Sequence, residues 1–528
     1  MLLCARICLP PEDQHTYVLR AGRIKMIRRR IVPDPVLLLV TPEGGTAYAC
    51  RSQLQMDVEA GFSLIESLFR FTLPSLATDR LYDGATIGIN GRRLLATFPS
   101  IQQAQQYLSE AKRLVYQRTA ALALNARLIT ASPEQLLQDF SLLYQQLLQT
   151  PTTESAPTAW PVASSELRRC DCCRSLPAQA WSGKELLCRA CLAIRSAGRD
   201  EALRLSVPGY LRSLADADPE SVITRPTWER FLYRAHQRGS QRSDAVETFQ
   251  QLLARRQSVP HPTPWQWRAV LRGAIINSDS LLVHLSSSQD ALKESRHLAT
   301  TLDEAVFSTL LTSSSNRQPF IMDFFSVLGD TFALSVPLAR ALPLVHDILQ
   351  RFEQLWIGDP ATPPATLQVD MLFTPLALSL GEILRSPGVD LLAPTFLGRD
   401  SRQPHIMTLH WIGEQEVFTY TARQLGYINS IIRLIERYGF DADIIDRFAA
   451  LADRRNAATI AAGLDQFNDF QRRAFLNNIW PGLSSFDSTQ GARSLRGVLG
   501  LIARITRLSH QSQPYERLIN TSIKGAVT

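Results

Sequence analysis

Two short knuckles, Cys170-x-x-Cys173 and Cys188-x-x-Cys191, stand fourteen residues apart and constrain this chain more than any other feature. Four thiolates on two such knuckles can close a tetrahedron around one Zn²⁺, and a fully ligated ion leaves no position open for substrate. The spacing predicts a structural zinc site, with Cys172 a spectator beside the first knuckle. Five of the eight cysteines lie in positions 170–191. The other three, Cys4, Cys8 and Cys50, are scattered, and the cytosolic compartment expected of this chain argues against a disulfide framework. Arg168, Arg169, Arg174 and Arg189 surround the knuckles and leave a nucleic-acid contact there open.

The knuckles occupy a small part of 528 residues, a length that at roughly 150 residues per domain gives two to four domains. A composition of 45% hydrophobic and 20% charged residues is that of globular protein and excludes disorder or collagen. No apolar run reaches the roughly 18 residues of a membrane span. The first nine residues, interrupted by Arg6, lack the apolar stretch and cleavage site of a signal peptide. A cytoplasmic protein with no membrane partner is expected. The formal charge is +7, and 51 of the 56 basic residues are arginine. Arginine's planar fork suits phosphate, so RNA or DNA is the expected partner, although a genome biased toward arginine codons would leave the same imprint. Arg23, Lys25, Arg28, Arg29 and Arg30 are candidate phosphate contacts. Their interleaving with Ile24, Met26, Ile27 and Ile31 equally fits a strand with a solvated basic face.

Around the knuckles, hydrophobic period and turn residues predict an ordered series of elements. A strand at Arg93–Phe98 follows a turn at Gly88–Gly91. Ser100-Ile-Gln-Gln103 is a capping box for a helix burying Ala104, Leu108, Ala111 and Val115. Leu122, Leu124, Ala126 and Leu128 alternate as a strand, and Ser132-Pro133 caps a helix to about Gln149. A Pro/Ser/Thr linker covers 151–165, a helical stretch about 201–257, and a second linker 258–264. Then come a strand at 267–276, a helix at 288–312, strands at 320–327 and 332–337 around Gly329-Asp330, a helix burying Leu342, Val345, Leu349 and Phe352, a strand at 367–373, a helix from Pro375 and a strand at 406–412. That order, βαββαβ with an extra strand, is the ferredoxin-like arrangement. From about Thr419 the pattern is helical to the end.

Gly329, Asp330 and Thr331 occupy a hairpin where polymerase and cyclase palms place carboxylates for two metal ions. Such a site needs converging acids. Asp330 stands alone unless Asp279 or Asp323 reaches it, and the competing reading makes it a turn residue. His346-Asp347 has the letters of a metal-phosphohydrolase pair but lies on a helix with no matching set elsewhere, so it reads as local helix chemistry. No glycine-rich phosphate loop precedes a helix.

These pieces, taken in order, resemble the large subunit of type III CRISPR–Cas effector complexes and its relative in subtype I-D. Leu328-Gly-Asp-Thr-Phe-Ala-Leu-Ser-Val-Pro337 is similar to that family's Gly-Gly-Asp-Asp hairpin and following strand, with the first glycine and second aspartate lost. Leu81-Tyr82-Asp83-Gly84 through Phe98-Pro99 resembles the hairpin of the first palm, and Gly398-Arg399-Asp400 the closing segment. The family's histidine–aspartate nuclease domain has no counterpart before Tyr82.

The resemblance implies an α+β fold: a degenerate palm at 1–150, a linker and cysteine-pair zinc ribbon at 151–200, a helical connector at 201–265, a second degenerate ferredoxin-like palm at 266–415 and a C-terminal α-helical domain at 416–528. It further implies a non-enzymatic scaffold in antiviral defence or guided targeting. Its partners would be CRISPR RNA held at the 5′ tag, target RNA or DNA, and the backbone, 5′-capping and small Cas subunits. Two other classes compete with it. One is a divergent metal-dependent nucleotidyltransferase or cyclase using Asp330 with Asp279 or Asp323; the other is a stand-alone zinc-ribbon nucleic-acid binding protein.

Overall fold

The computed structural model describes residues 16–20, 23–27, 34–78, 82, 84–152, 168–237, 267–285, 287–314, 324–356, 364–386, 405–411, 417–452, 463, 465, 467–474, 476–477 and 499–508. Arg28, Arg29, Arg30, Asp83, Asp323, both proline-rich linkers apart from 151–152, and Gly398–Asp400 lie outside them. The chain opens with an antiparallel hairpin, β1 (Thr16–Arg20) and β2 (Arg23–Ile27), which carries Arg23 and Lys25.

The first mixed sheet begins with β3 (Val36–Glu43), whose β-branched and leucine run is buried on both faces. It is followed by α1 (Gly45–Ala49), α2 (Gln55–Ser67), a π-turn at Leu68–Thr72 and α3 (Leu73–Ala77). After them come β4 (Thr86–Ile89), β5 (Leu94–Phe98), α4 (Ile101–Thr119) and β6 (Ala123–Thr130). The strand order is β4-β5-β3-β6 with every pair antiparallel. Ser100 caps α4 as its sequence requires, its Oγ accepting from the Gln103 amide at 3.3 Å. The expected helix to Gln149 is instead two, α5 (Pro133–Gln138) and α6 (Phe140–Gln149). The break at Asp139 lets Phe140 turn inward and stack on Tyr144. Gly88, expected in a turn, is the third residue of β4.

The second sheet is built from β9 (Trp267–Ile275), α11 (Ser278–Val283), α12 (Ser288–Ser314), β10 (Phe324–Leu328), β11 (Thr331–Pro337), α13 (Leu338–Leu355), β12 (Leu367–Pro375), α14 (Leu380–Arg385), β13 (Ile406–Trp411) and β14 (Val417–Thr421). Its order is β10-β11-β9-β12-β13-β14. The first four strands repeat the order of the first sheet: second, third, first, fourth in chain sequence. Gly273 on β9 faces Phe332 on β11, and a Cβ there would stand 2.0 Å from the phenyl ring, so only glycine fits. β13 joins parallel to β12, and β14 pairs back on it. β14 overlaps the expected all-helical end of the chain. Its Val-Phe-Thr-Tyr-Thr run has the β-branched and aromatic content that completes an edge. Helices α15 (Ala422–Tyr438), α16 (Ala442–Ala452), α17 (Asp469–Ala474) and a last helix at 499–508 form the C-terminal region. Its core residues, from Leu425 to Ile505, are continuous with those of the second sheet.

In the chain, the segment between the two sheets forms a small hairpin, β7 (Ala180–Ser182) with β8 (Glu185–Leu187), and helices α7 (Arg189–Ser206), α8 (Pro208–Ala215), α9 (Pro219–Ile223) and α10 (Thr227–Gln237). One of the hydrophobic core clusters joins the two halves. Val270, Phe324, Leu328, Ala333 and Leu372 of the second sheet share it with Phe62 and Leu64 of α2 and Phe69 of the π-turn, and the Phe62 and Phe324 rings meet edge-on at 5.8 Å.

Candidate functional site

The cysteine centre is assembled by local backbone geometry. The Cys170 amide donates to Leu176 O at 2.9 Å, and the Arg174 amide donates to Cys170 O at 3.0 Å. Arg174 takes a left-handed φ of 56° to close the knuckle. On the far side Cys188 heads α7, its Sγ accepting from the Cys191 amide at 3.4 Å. The four sulfurs of Cys170, Cys173, Cys188 and Cys191 lie within 4.8 Å of one another. A tetrahedral Zn–S bond of about 2.3 Å corresponds to an S···S edge of about 3.8 Å, and Cys173 Sγ is 3.8 Å from Cys188 Sγ. Without a cation, hydrogen bonds from Cys188 and Cys191 favour the thiolate at Cys173, while that same contact pushes the Cys188 thiol up to about 12. Four crowded thiols cannot all ionise alone, and a divalent metal relieves that conflict. The residues therefore fit a metal ion such as zinc.

Cys172 is no part of that set. Its Sγ points to Asp57 on α2 at 3.8 Å, and Asp57 also accepts from Ser52 Oγ at 2.8 Å and from Arg195 of α7 at 2.9 Å. The centre is thereby tied to α2. Gly198 lets α7 cross α2 closely, since a Cβ on it would stand 2.8 Å from the Ala60 methyl.

A second constellation lies where the two sheets meet. Gly329, at φ +62°, tips the β10–β11 hairpin onto Asn90 of the β4–β5 hairpin, and a Cβ there would fall 2.2 Å from the Asn90 carbonyl oxygen. Asn90 in turn donates to Ser295 Oγ on α12 at 3.2 Å. Immediately beyond Asn90, Arg92 and Arg93 reach across. Arg92 pairs with Asp330 through Nε and donates from Nη2 to its Oδ2 at 2.9 Å. Arg93 pairs with Asp279 and lies 3.6 Å from Asp330. Tyr144 donates its hydroxyl to Asp279 Oδ1 at 2.9 Å. Asp330 is 0% exposed and Asp279 2%. Burial alone would raise the Asp330 carboxyl. The Arg92 and Arg93 guanidiniums outweigh it and hold the group below the ordinary aspartate value.

Asp330 and Asp279 do converge, but on guanidiniums. A carboxylate pair of this kind can bind metal only where the metal replaces the charges already neutralising it. Here that means expelling the buried Arg92 and Arg93 from Asp330 and Asp279. The basic sequence signal that mattered was thus Arg92-Arg93, just after a Gly-containing turn. Sequence reasoning missed it because only the tertiary fold carries that turn to Asp330. Thr331, next to the aspartate, turns its Oγ1 back to Leu328 O at 3.0 Å across the hairpin.

A third buried network braces the same junction. Glu66 of α2 accepts from the Thr227 amide and hydroxyl, both at 2.8 Å, and from Arg70 at 2.9 Å. Arg230 of α10 forks onto Asp303 of α12 at 2.9 and 2.7 Å and donates to Val327 O at 3.0 Å. Five elements, α2, the π-turn, α10, α12 and β10, are locked through these groups. His346 and Asp347 contact each other at 3.1 Å on α13.

No protein-family model and no curated protein matches the sequence. Solved structures do match. A chain of the Csm1–Csm4 cassette in complex with AMPPNP aligns over 91% of this chain and 70% of its own, at 9% identity and a TM-score of 0.48. The apo state of the type III-B Cmr-beta complex contributes a chain aligned over 85% of this one and 78% of its own, at 10% identity and a TM-score of 0.44. A chain of Cmr-beta bound to cognate target RNA aligns over 77% of this chain and 74% of its own, at 10% identity and a TM-score of 0.40. Over most of its length this chain is similar to chains of type III assemblies. Among the described residues no helix is long and apolar enough to cross a membrane.

Proposed function

We propose that this chain is the large subunit of a type III CRISPR RNA-guided effector complex whose nucleotide chemistry has been lost. The two like-ordered sheets are read as a pair of ferredoxin-like palms, the first within 1–150 and the second from 266 through β14, joined by a zinc ribbon and helical connector and followed by a C-terminal helical domain from α15. The hairpin Leu328–Pro337, meeting the Gly88–Gly91 segment, supports that reading, as does the four-cysteine centre lying between the two sheets in the chain.

The observation that carries the loss of chemistry is the pairing of Asp330 and Asp279 with Arg92 and Arg93 inside the junction. Two-metal phosphoryl or nucleotidyl transfer needs carboxylates free to clamp ions about 3.5–4 Å apart. These carboxylates are committed to holding the domains together. The function left to such a chain is structural: it stands at the 5′-tag end of the guide, beside the capping and backbone subunits. Sequence recognition is delegated to base pairing, with the target RNA or DNA bound alongside, in antiviral defence or guided targeting. The ion at the four cysteines is a structural Zn²⁺. Arg23, Lys25, Arg28, Arg29 and Arg30 remain the candidate phosphate contacts of the N-terminal segment.

Tagged protein purified from its own host is expected to carry short RNAs that share one 5′ tag and differ in their spacers. Sequencing the bound RNA checks this; random RNA, or none, rejects the guide-complex reading and favours a stand-alone binder. Incubation with ATP and Mg²⁺ or Mn²⁺ is expected to give no product from either the wild type or Asp330→Asn. Metal-dependent turnover by the wild type that vanishes in the variant would instead establish a nucleotidyltransferase.

A further inference from the structure

We propose that the tip of the cysteine ribbon is a stacking platform for a base of a single-stranded nucleic acid, with Trp181 as the stacking surface and Arg168 as its fixed cationic companion. The proposal deepens the guide-complex reading by adding a contact residue, and it is tested on a different observable.

Trp181 lies on β7 and is 63% exposed, the only tryptophan among the exposed large apolar residues described. Leaving an indole in water forfeits the stabilisation its burial would bring, so the exposed ring calls for a partner. Its immediate surroundings are charged. The Arg168 guanidinium sits over the indole with its carbon 5.4 Å from the ring centroid. Arg168 is itself 58% exposed, yet it is not free to wander, because its Nη2 donates to both carboxylate oxygens of Asp171 at 3.2 Å. Asp171 is pinned in turn by the Leu186 amide at 2.7 Å. The ring and the cation are therefore held in one geometry before any ligand arrives, which removes part of the ordering cost of binding.

The charge around the ring selects the ligand class. From Arg168 to Asp200 the chain carries seven basic residues and three acidic ones. Two of the acids are already used, Asp171 on Arg168 and Glu185 on Arg195. Arg169, Arg174, Lys184, Arg189 and Arg199 are all exposed. An exposed aromatic face set in a cationic surface is the arrangement that takes a base on the ring and the adjoining phosphates on the cations. A duplex keeps its bases stacked inside and offers no free face, so a single strand is required. RNA and DNA share this chemistry.

The test measures equilibrium binding of fluorescein-labelled 20-nucleotide oligouridine and oligothymidine by the full chain, with a duplex of the same length as control. Trp181→Ala is expected to weaken single-strand binding about 5- to 100-fold at fixed salt, with the salt slope unchanged because no phosphate contact is removed. Trp181→Phe is expected to retain most of the affinity, and duplex binding to be unaffected by either variant. Bound zinc equal to wild type shows that the ribbon is intact. Wild-type affinity in Trp181→Ala, an equal loss on the duplex, or no single-strand binding by the wild type overturns the proposal. If the variant binds the strand normally but no longer assembles with its protein partners, the ring docks a protein and the proposal falls. Tagged guide RNA recovered from the host would leave the guide-complex reading standing in each of these cases. Relative affinity for the two oligonucleotides assigns the strand as RNA or DNA.

Discussion

Asp330→Ala is expected to lower the stability of the folded chain by about 3–5 kcal/mol, the cost of stranding a buried partner charge. The substitution removes no large apolar volume, and the hairpin backbone keeps its bond from the Ile275 amide to the residue-330 carbonyl at 2.9 Å. What is lost is the counter-charge to Arg92, which is 2% exposed. Arg93 retains Asp279, so the damage centres on Arg92. A denaturant titration followed by tryptophan fluorescence checks the magnitude, because Trp228 packs edge-on against Phe325 at 5.2 Å beside this junction. Removing both charges, in Arg92→Met with Asp330→Leu, is expected to recover most of the loss, since a buried ion pair exchanged for apolar groups is often near neutral. A single variant as stable as wild type would mean the pair is hydrated, and the argument for a sealed junction would fail.

The same pair gives an acid limb of known sign. A carboxyl whose folded pKa is depressed contributes stability that is complete above the unfolded value of about 4. That contribution disappears as pH falls through the lower, folded value. Asp330 is of this kind, so wild type should lose stability on acidification below about pH 4 more steeply than Asp330→Asn.

Reading the chain without its fold recovered what local chemistry decides. Ser100 caps its helix, Ser132 closes a capping box with Gln135, and Gly329 stands where the tight hairpin was expected. The four cysteines were visible because metal-ligand spacing is written within twenty-two consecutive positions. The helices at 45–77 were not found. Leu68-Phe-Arg-Phe-Thr72 slips into a π-turn, and Arg70 and Glu66 point inward among apolar neighbours, so the helical stripe is interrupted by charge. That charge is tolerated because groups more than 150 residues away, Ile223, Thr227, Arg230 and Asp303, complete the network. Arg92 and Arg93 failed for the same reason. A basic pair after a turn reads as solvated surface until the second sheet supplies the acids.

Cys173→Ser is expected to abolish stoichiometric zinc and to unfold more than the ribbon. Structural zinc sites in small modules contribute on the order of 10–16 kcal/mol to the folded state, and a hydroxyl in place of a thiolate forfeits most of that. Here the consequence travels inward. Cys170, Leu187, Cys188 and Ile194 belong to the same core as Phe62 and Leu64, so releasing the knuckles frees the start of α7 from α2. Metal analysis of the purified variant is expected to fall from one zinc to none, with new proteolytic cleavage at the basic sites between Arg168 and Arg199. Cys172→Ser separates ligation from mere proximity, because its sulfur contacts Asp57 and stands outside the four-sulfur cluster. That variant should keep its zinc and its protease resistance. Full zinc in Cys173→Ser would reject the ligand set, and loss of zinc from Cys172→Ser would extend it.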